Sequence, residues 1–141
     1  MHDGEGDAGK LDGLELDLVE EALAEARKMQ QRHADAVSAY ERAVRLLPPD
    51  ARLLSDFAES VALLADDDFS GRPIALLEQA LAIDASEPKA IALMGAAQYR
   101  LGNLERARDY LKTLHDGLQA GSAEATQIGQ VLARIEAEIA Q

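Results

Sequence analysis

The chain has 141 residues and a formal net charge of −12, and hydrophobic residues make up 48% of it. That length suits one domain or one compact stack of repeats, and the few aromatic residues beside abundant Ala and Leu favour closely packed helices. The acidic balance argues against binding a nucleic-acid backbone, the absence of cysteine excludes disulfides and thiolate chemistry, and no stretch approaches the roughly 18 apolar residues of a membrane span.

The first predicted segment, residues 1–16, is acidic and contains several glycines. Low hydrophobicity combined with excess charge predicts a disordered leader here, because such a segment buries too little apolar surface to offset the entropy of ordering. Steering toward a basic partner is the alternative role. The acids of residues 1–20, which meet a single base, Lys10, are Asp3, Glu5, Asp7, Asp12, Glu15, Asp17 and Glu20.

Residues 17–50 are the first of three segments that align in a 34-residue repeat frame. We expect a helix A over Leu18–Gln31 and a helix B in the residues that follow. Helix B matches the frame closely at positions 20, 24, 27 and 32, whereas helix A is degenerate, as terminal repeats often are. The matching residues are Ala36, Tyr40, Ala43 and Pro48.

Residues 51–87 are the second unit, with a helix A that begins at Ala51 and a helix B that contains Leu76–Asp84. The two halves fit the frame only if about three residues are inserted between them. The insertion is Asp66–Pro73, where acids, Phe69 and a Ser-Gly-Arg-Pro run predict a loop. Proline at the end of this run suits the first turn of the next helix.

Residues 88–121 are the third and clearest unit. Gly95 and Ala107 are small where its two helices are expected to cross, and Gly102 lies where the first of them ends. Ser122 then predicts the N-cap of a last helix within 122–141. The frame positions 4, 7, 8, 15, 17, 20, 24 and 27 are filled by Ile91, Met94, Gly95, Gly102, Leu104, Ala107, Leu111 and Leu114.

These positions are the ones that define the tetratricopeptide repeat. The predicted fold is therefore all-α, a tetratricopeptide (TPR) superhelix of about three helical hairpins plus a C-terminal capping helix, occupying residues 17–141. A single hairpin cannot bury its apolar face alone, so stacked neighbours must complete the core.

Stacked hairpins form a curved body whose concave wall is made mainly by the A helices, and such walls hold extended or helical peptides. The wall predicted here is mixed in charge with apolar patches, which suits an amphipathic segment. The second unit supplies Arg52, Ser55, Asp56, Glu59 and Leu63; the third supplies Lys89, Ala92, Leu93, Ala96, Tyr99 and Arg100; the first supplies Leu18, Glu21, Glu25, Lys28 and Met29.

Patterns that carry catalysis or bind metals do not occur in the sequence. His2, His33 and His115 are far apart and belong to no zinc-binding motif, and no glycine-rich phosphate loop follows a strand. The acidic run Asp66–Asp68 lacks the alternating ligand spacing of a calcium loop. We therefore expect no enzyme activity, no metal and no cofactor.

The stretch from about Ala34 to the end resembles the periplasmic tetratricopeptide domain of the bacterial cytochrome c maturation proteins CcmI (also called CycH) and NrfG. The most specific part is Asp68–Asp84, which contains FSGRPIALLEQALAID and in which a Gly-Arg-Pro turn replaces the compact turn of a generic repeat. It is followed by PKAIALMGAAQYRLGNLERA, residues 88–107. The chain departs from that family in its N-terminal part, where the family's membrane-spanning portion is absent and the first helix A lacks the usual Trp/Leu/Gly pattern.

The resemblance implies a chaperone that holds unfolded apocytochrome c, largely by its C-terminal helix, for the haem ligation machinery. It further implies a periplasmic location, with tethering to the inner membrane by a segment outside this sequence, and contact with haem lyase components. The residues favoured for binding are Glu59, Leu63, Tyr99 and Arg100. The alternative is an adaptor that joins folded proteins in an envelope, secretion or signalling assembly.

Overall fold

A computed structural model describes residues 12–141, and this part of the chain forms six α-helices without any β-strand. The predicted all-α class is confirmed, while most of the predicted leader, residues 1–11, lies outside the described residues. None of the helices in 12–141 combines the length and apolarity that crossing a membrane requires. The helices are α1 (Gly13–Leu46), α2 (Ala51–Leu64), α3 (Arg72–Ile83), α4 (Pro88–Arg100), α5 (Leu104–Asp116) and α6 (Ala123–Ile139).

The first unit is a single helix, where the sequence predicted a hairpin. α1 runs unbroken for 34 residues, about 51 Å at 1.5 Å per residue, through the expected turn. The residues at that turn, Gln31–Ala34, include no glycine or proline, so nothing in the local sequence interrupts the helix. A hydrogen bond from the Gln31 side-chain amide to Asp35 Oδ1, 2.9 Å long, spans the same point.

The start of α1 also corrects the leader boundary, because the predicted disordered segment extended to residue 16. Asp12 is the N-cap, and its carboxylate accepts a hydrogen bond from the Glu15 backbone amide at 2.8 Å. The Glu15 side chain accepts in return from the Asp12 amide at 3.4 Å, which completes a capping box. These two acids therefore start a helix, a role that a reading of net charge alone does not detect.

The loops on either side of α3 each contain a polar turn of the same type. In the α2–α3 loop, the hydroxyl and amide of Ser70 donate to Asp68 Oδ1 at 2.6 and 2.9 Å; after α3, Ser86 donates to Asp84 Oδ1 in the same way at 2.7 and 2.9 Å. Hydrogen bonds from the serine hydroxyl first, and from its amide second, lower the pKa of each aspartate below its ordinary value. The charged carboxylates stabilise both turns at neutral pH.

We expect Ser86→Ala to raise the pKa of Asp84 toward the ordinary aspartate value, because the larger of the two causes is removed. A group with a lowered folded-state pKa contributes stability above its unfolded pKa and loses it as the pH falls through the folded value. An NMR titration of the aspartate carboxyl carbons measures the shift. Ser70→Ala is the matched control and should move Asp68 while leaving Asp84 unchanged.

Successive helices pack as neighbours along the chain. α2 contacts α1, α3 and α4, while α4 also contacts α3 and α5, and α6 packs on α5. One core lies among α1 to α4 around the fully buried Phe57, Leu77 and Met94, and a second lies between α5 and α6 around Leu111 and Ile135. This arrangement brings α2 and α4, the predicted wall helices of the second and third units, into direct contact.

Candidate functional site

The predicted wall residues of α2 and α4 meet through ion pairs. Lys89 Nζ of α4 lies 2.6 Å from Asp56 Oδ1 and 2.8 Å from Glu59 Oε1 of α2. Arg52 Nε lies 3.3 Å from the same Asp56 oxygen. Because Arg52, Asp56 and Glu59 are three, four or seven positions apart in α2, they project from one face of that helix. The structure thus joins four sequence-predicted site residues in one network.

The charge of Lys89 is held in place by its two acidic partners. Partial burial lowers the pKa of its ammonium group, but the hydrogen bonds to Asp56 and Glu59 and the attraction of their charges outweigh that effect, so the pKa is raised. The interaction is present at neutral pH and is lost as the pH rises through this raised value. The network positions α4 beside α2 with no large excess of either charge.

Two further predicted residues lie at the other end of α4. The Tyr99 hydroxyl donates a 2.8 Å hydrogen bond to Glu138 of α6, and this bond first, then the negative charge of Glu138, raises the tyrosine pKa. Arg100 donates to the Asp67 carbonyl at 2.9 Å, and its guanidinium lies 5.7 Å from the centre of the Phe69 ring. Both side chains therefore tie α4 to its neighbours while they remain exposed.

Between these two polar ends the face of α4 is small and apolar. Ala92 and Leu93 are half-buried and Ala96 is exposed, so the backbone of α4 is accessible to a ligand at this point. Small side chains of this kind allow another helix to approach closely. The candidate site is accordingly an apolar strip on α4 bordered by ion pairs at one end and by Tyr99 and Arg100 at the other.

The prediction that Ser55 lies on the exposed wall is wrong, because its side chain is fully buried. Its hydroxyl donates to the Ala51 carbonyl at 2.8 Å, four residues back in α2, and so it cannot contact a ligand. Leu63 is partly exposed and borders, with Met29, a hollow of about 270 Å³ at the end of α2.

The other wall residues predicted in the first unit lie on the exposed half of α1, which does not fold back. The expected third layer of the wall is therefore not formed by that segment in this structure. The residues concerned are Leu18, Glu21, Glu25 and Lys28.

Sequence reasoning missed several features around the wall. Glu138 and the carbonyl of Asp67 hold Tyr99 and Arg100, and no sequence signal links residues so far apart. It also missed two apolar clefts beside the α1–α2 turn, of about 490 and 470 Å³, although the Leu-Leu-Pro-Pro run at 46–49 was a possible signal. The second cleft is bordered by Arg52 and Asp56 and so adjoins the wall.

Within residues 12–141, no group of three or more His, Asp or Glu side chains is placed to hold a metal ion. His33 lies in α1 and His115 in α5, while His2 lies outside the described residues. Comparison with models of known protein families found no match, and comparison with curated protein sequences found no significant match either.

Proposed function

We propose that the chain is a tetratricopeptide-type scaffold that binds a helical segment of another protein on the α2–α4 wall. Support comes from the hairpins α2–α3 and α4–α5, in which frame positions 4, 7, 8 and 24 are buried in both units. The equivalent pairs are Leu54 and Ile91, Phe57 and Met94, Ala58 and Gly95, and Leu77 and Leu111. Equivalent positions of the two units are thus both packed in the protein interior.

The observation that carries this proposal is the contact between the two predicted wall helices. Lys89 bridges to both Asp56 and Glu59, so the predicted faces of α2 and α4 form one surface. A bound helix would pack on Ala92 and Ala96, and its polar residues would meet the ion pairs at the edge. Affinity would then come from apolar burial, while the flanking charges would set orientation.

For the partner we propose the C-terminal helix of unfolded apocytochrome c, held for haem ligation in the periplasm. The resemblance to the cytochrome c maturation domains supports this choice, since the residues that carry it, 68–84 and 88–107, form part of the α2–α3 loop, α3, α4 and the start of α5. That stretch includes the wall residues Lys89, Tyr99 and Arg100. In this function the chain itself supplies no catalytic group and holds no cofactor.

The direct test is a calorimetric titration of the protein with a peptide that matches a cytochrome c C-terminal helix. We expect saturable binding at least about tenfold tighter than to a scrambled peptide of equal composition, a difference of about 1.4 kcal/mol. Equal affinity for both peptides would contradict the proposed partner. Binding of folded holocytochrome as tightly as the peptide would contradict a role in holding the unfolded chain.

A pair of substitutions locates the binding surface. Ala96→Glu places a charge on the exposed centre of the α4 strip and should weaken the peptide about tenfold or more, because a buried unpaired carboxylate is costly. Ala75→Glu makes the same change at an exposed position of α3, outside the wall, and should leave the affinity unchanged. Equal affinities for the two variants would place the peptide elsewhere on the molecule.

An adaptor that joins folded proteins is the second candidate, and the projecting half of α1 is the observation that favours it. Exposed apolar residues on a helix that extends beyond the body are typical of a protein–protein contact. An adaptor would capture a folded partner and show no preference for an unfolded helical segment. The comparison of holocytochrome with peptide therefore separates the two functions.

A further inference from the structure

The N-terminal half of α1 projects from the body of the protein. Every residue from 13 to 32 is exposed, and the buried residue of this helix is Val37. α1 packs against α2, and Arg72 at the start of α3 pairs with Glu41 of α1, with Nη2 and Oε2 3.1 Å apart. α2 ends at Leu64, beside the middle of α1. Residues 13–25, roughly 20 Å of helix, therefore extend past the end of α2.

A stripe of mainly apolar residues, interrupted by Gln30 and His33, runs along both halves of α1. Its positions alternate between three and four residues apart, the spacing of a coiled-coil seam. Toward the C-terminus the stripe packs on the core, but Leu16, Val19 and Leu23 are 46%, 42% and 49% exposed. Within residues 12–141 nothing covers this continuation of a face that is elsewhere buried. The stripe consists of Leu16, Val19, Leu23, Ala26, Gln30, His33, Val37, Tyr40 and Val44.

Charges beside the stripe are segregated along the helix. The flanking positions hold Glu15 and Glu20, followed toward the C-terminus by Arg27. An identical helix running in the opposite direction would place Glu20 of each copy beside Arg27 of the other, whereas a parallel copy would place Glu15 of one beside Glu20 of the other. Charge complementarity therefore selects an antiparallel second copy.

We propose that two copies of this chain associate through an antiparallel pair of α1 helices over residues 16–33. In the register that matches both stripes, Leu23 packs on Ala26 of the second copy, and Glu20 lies beside its Arg27. The two-fold axis repeats each contact. The second helix lies in line with α2, which covers the next part of the same stripe from Val37 onward. One surface of α1 thus binds α2 within the chain and its own copy between chains.

The expected association is concentration-dependent. A pairing of about 18 residues spans roughly 27 Å and is at the small end of specific interfaces, which bury about 1,200 Å² in total. Sedimentation velocity on the wild-type chain should show the mass rising from 15.1 kDa toward twice that value with concentration. A mass that stays at one chain up to millimolar concentration would overturn the proposal.

Leu23→Glu tests the stripe, because it places a carboxylate on the central layer of the paired helices. We expect the dimer to be lost, with unchanged helix content by circular dichroism since Leu23 is exposed in the single chain. Ala24→Glu is the matched control, an exposed residue on the opposite face of α1, and should leave dimerisation unchanged. A dimer that survives Leu23→Glu, or one that both variants abolish equally, would overturn this interface.

Charge exchange tests the direction of the pair. Glu20→Lys or Arg27→Glu alone should raise the dissociation constant about threefold to tenfold, and the double variant should restore it, because each lysine then meets a glutamate of the other copy. The control exchange, Glu21→Lys with Lys28→Glu, lies on the opposite helix face and should have little effect singly or together. Failure of the Glu20/Arg27 double variant to recover would overturn the antiparallel arrangement. Peptide affinity of the α2–α4 wall is a separate readout and should be the same in Leu23→Glu and wild type.

Discussion

Replacing Phe57 with alanine is expected to lower the free energy of unfolding by about 3–5 kcal/mol. The ring is 1% exposed in the centre of α2, and the cavity left by its removal would lie among α1 to α4. It also stacks on Tyr40 of α1, with ring centres 5.9 Å apart, and the Arg72 guanidinium lies 4.8 Å from its centre. One substitution would therefore weaken the packing of α1 and of α3 on α2 together.

Urea denaturation followed by circular dichroism at 222 nm measures this change. Phe57→Leu keeps much of the buried area and should cost clearly less, and it provides a folded variant if the alanine variant is too unstable. Leu64→Ala, at a position 36% exposed near the end of the same helix, should also cost clearly less. Similar losses for Phe57→Ala and Leu64→Ala would contradict the placement of the core.

The helices after residue 50 could be predicted from the sequence because local signals mark their boundaries. Asp50 accepts a hydrogen bond from the Leu53 amide at the start of α2, and Ser122 accepts one from the Ala125 amide at the start of α6. Gly71 and Gly102 adopt φ values of 78° and 83° in the turns before α3 and α5, where residues other than glycine are strained. Each element thus has a cap or a glycine of its own.

The shape of α1 could not be predicted by the same means. The repeat frame specified a turn near residue 32. A frame gives only the position at which a turn is expected, whereas forming the turn also needs a residue that interrupts the helix. Gln31, Arg32, His33 and Ala34 all continue a helix readily. Whether such a segment folds back depends on tertiary packing, which helical periodicity does not report.

The candidate site was predictable to the level of a helix face. Arg52, Asp56, Glu59 and Lys89 share a network because the spacing of their positions aimed them at one side of two adjacent helices. The burial of individual residues was harder to predict. The repeat frame assigned Ser55 to the same wall, but its side chain is buried where α2 packs against its neighbours. Partners distant in sequence, such as Glu138 for Tyr99, depend on how α6 packs.

The crossing of α4 and α5 depends on the absence of a side chain at Gly95. A β-carbon built there would lie 2.9 Å from Leu111 Cδ2 and 3.0 Å from its Cγ, closer than side chains normally approach. Leu111 itself is 7% exposed and forms part of the core between α5 and α6. A side chain at position 95 would therefore push α5 away from α4 or force Leu111 out of its packing.

Gly95→Val is expected to lower the free energy of unfolding by about 1–3 kcal/mol, and Leu111→Ala by about 2–5 kcal/mol. The double variant should lose less than the two added together, by about 0.5–3 kcal/mol, because truncation of Leu111 leaves room for the new side chain. Gly129→Val is the control: a β-carbon at this position of α6 makes an ordinary 3.6 Å contact with His115 Nε2, and valine has the higher helix propensity, so stability should change by less than about 1 kcal/mol. Urea denaturation of the wild type, the two single variants and the double variant completes the cycle, and strict additivity would show that Gly95 and Leu111 do not share this contact.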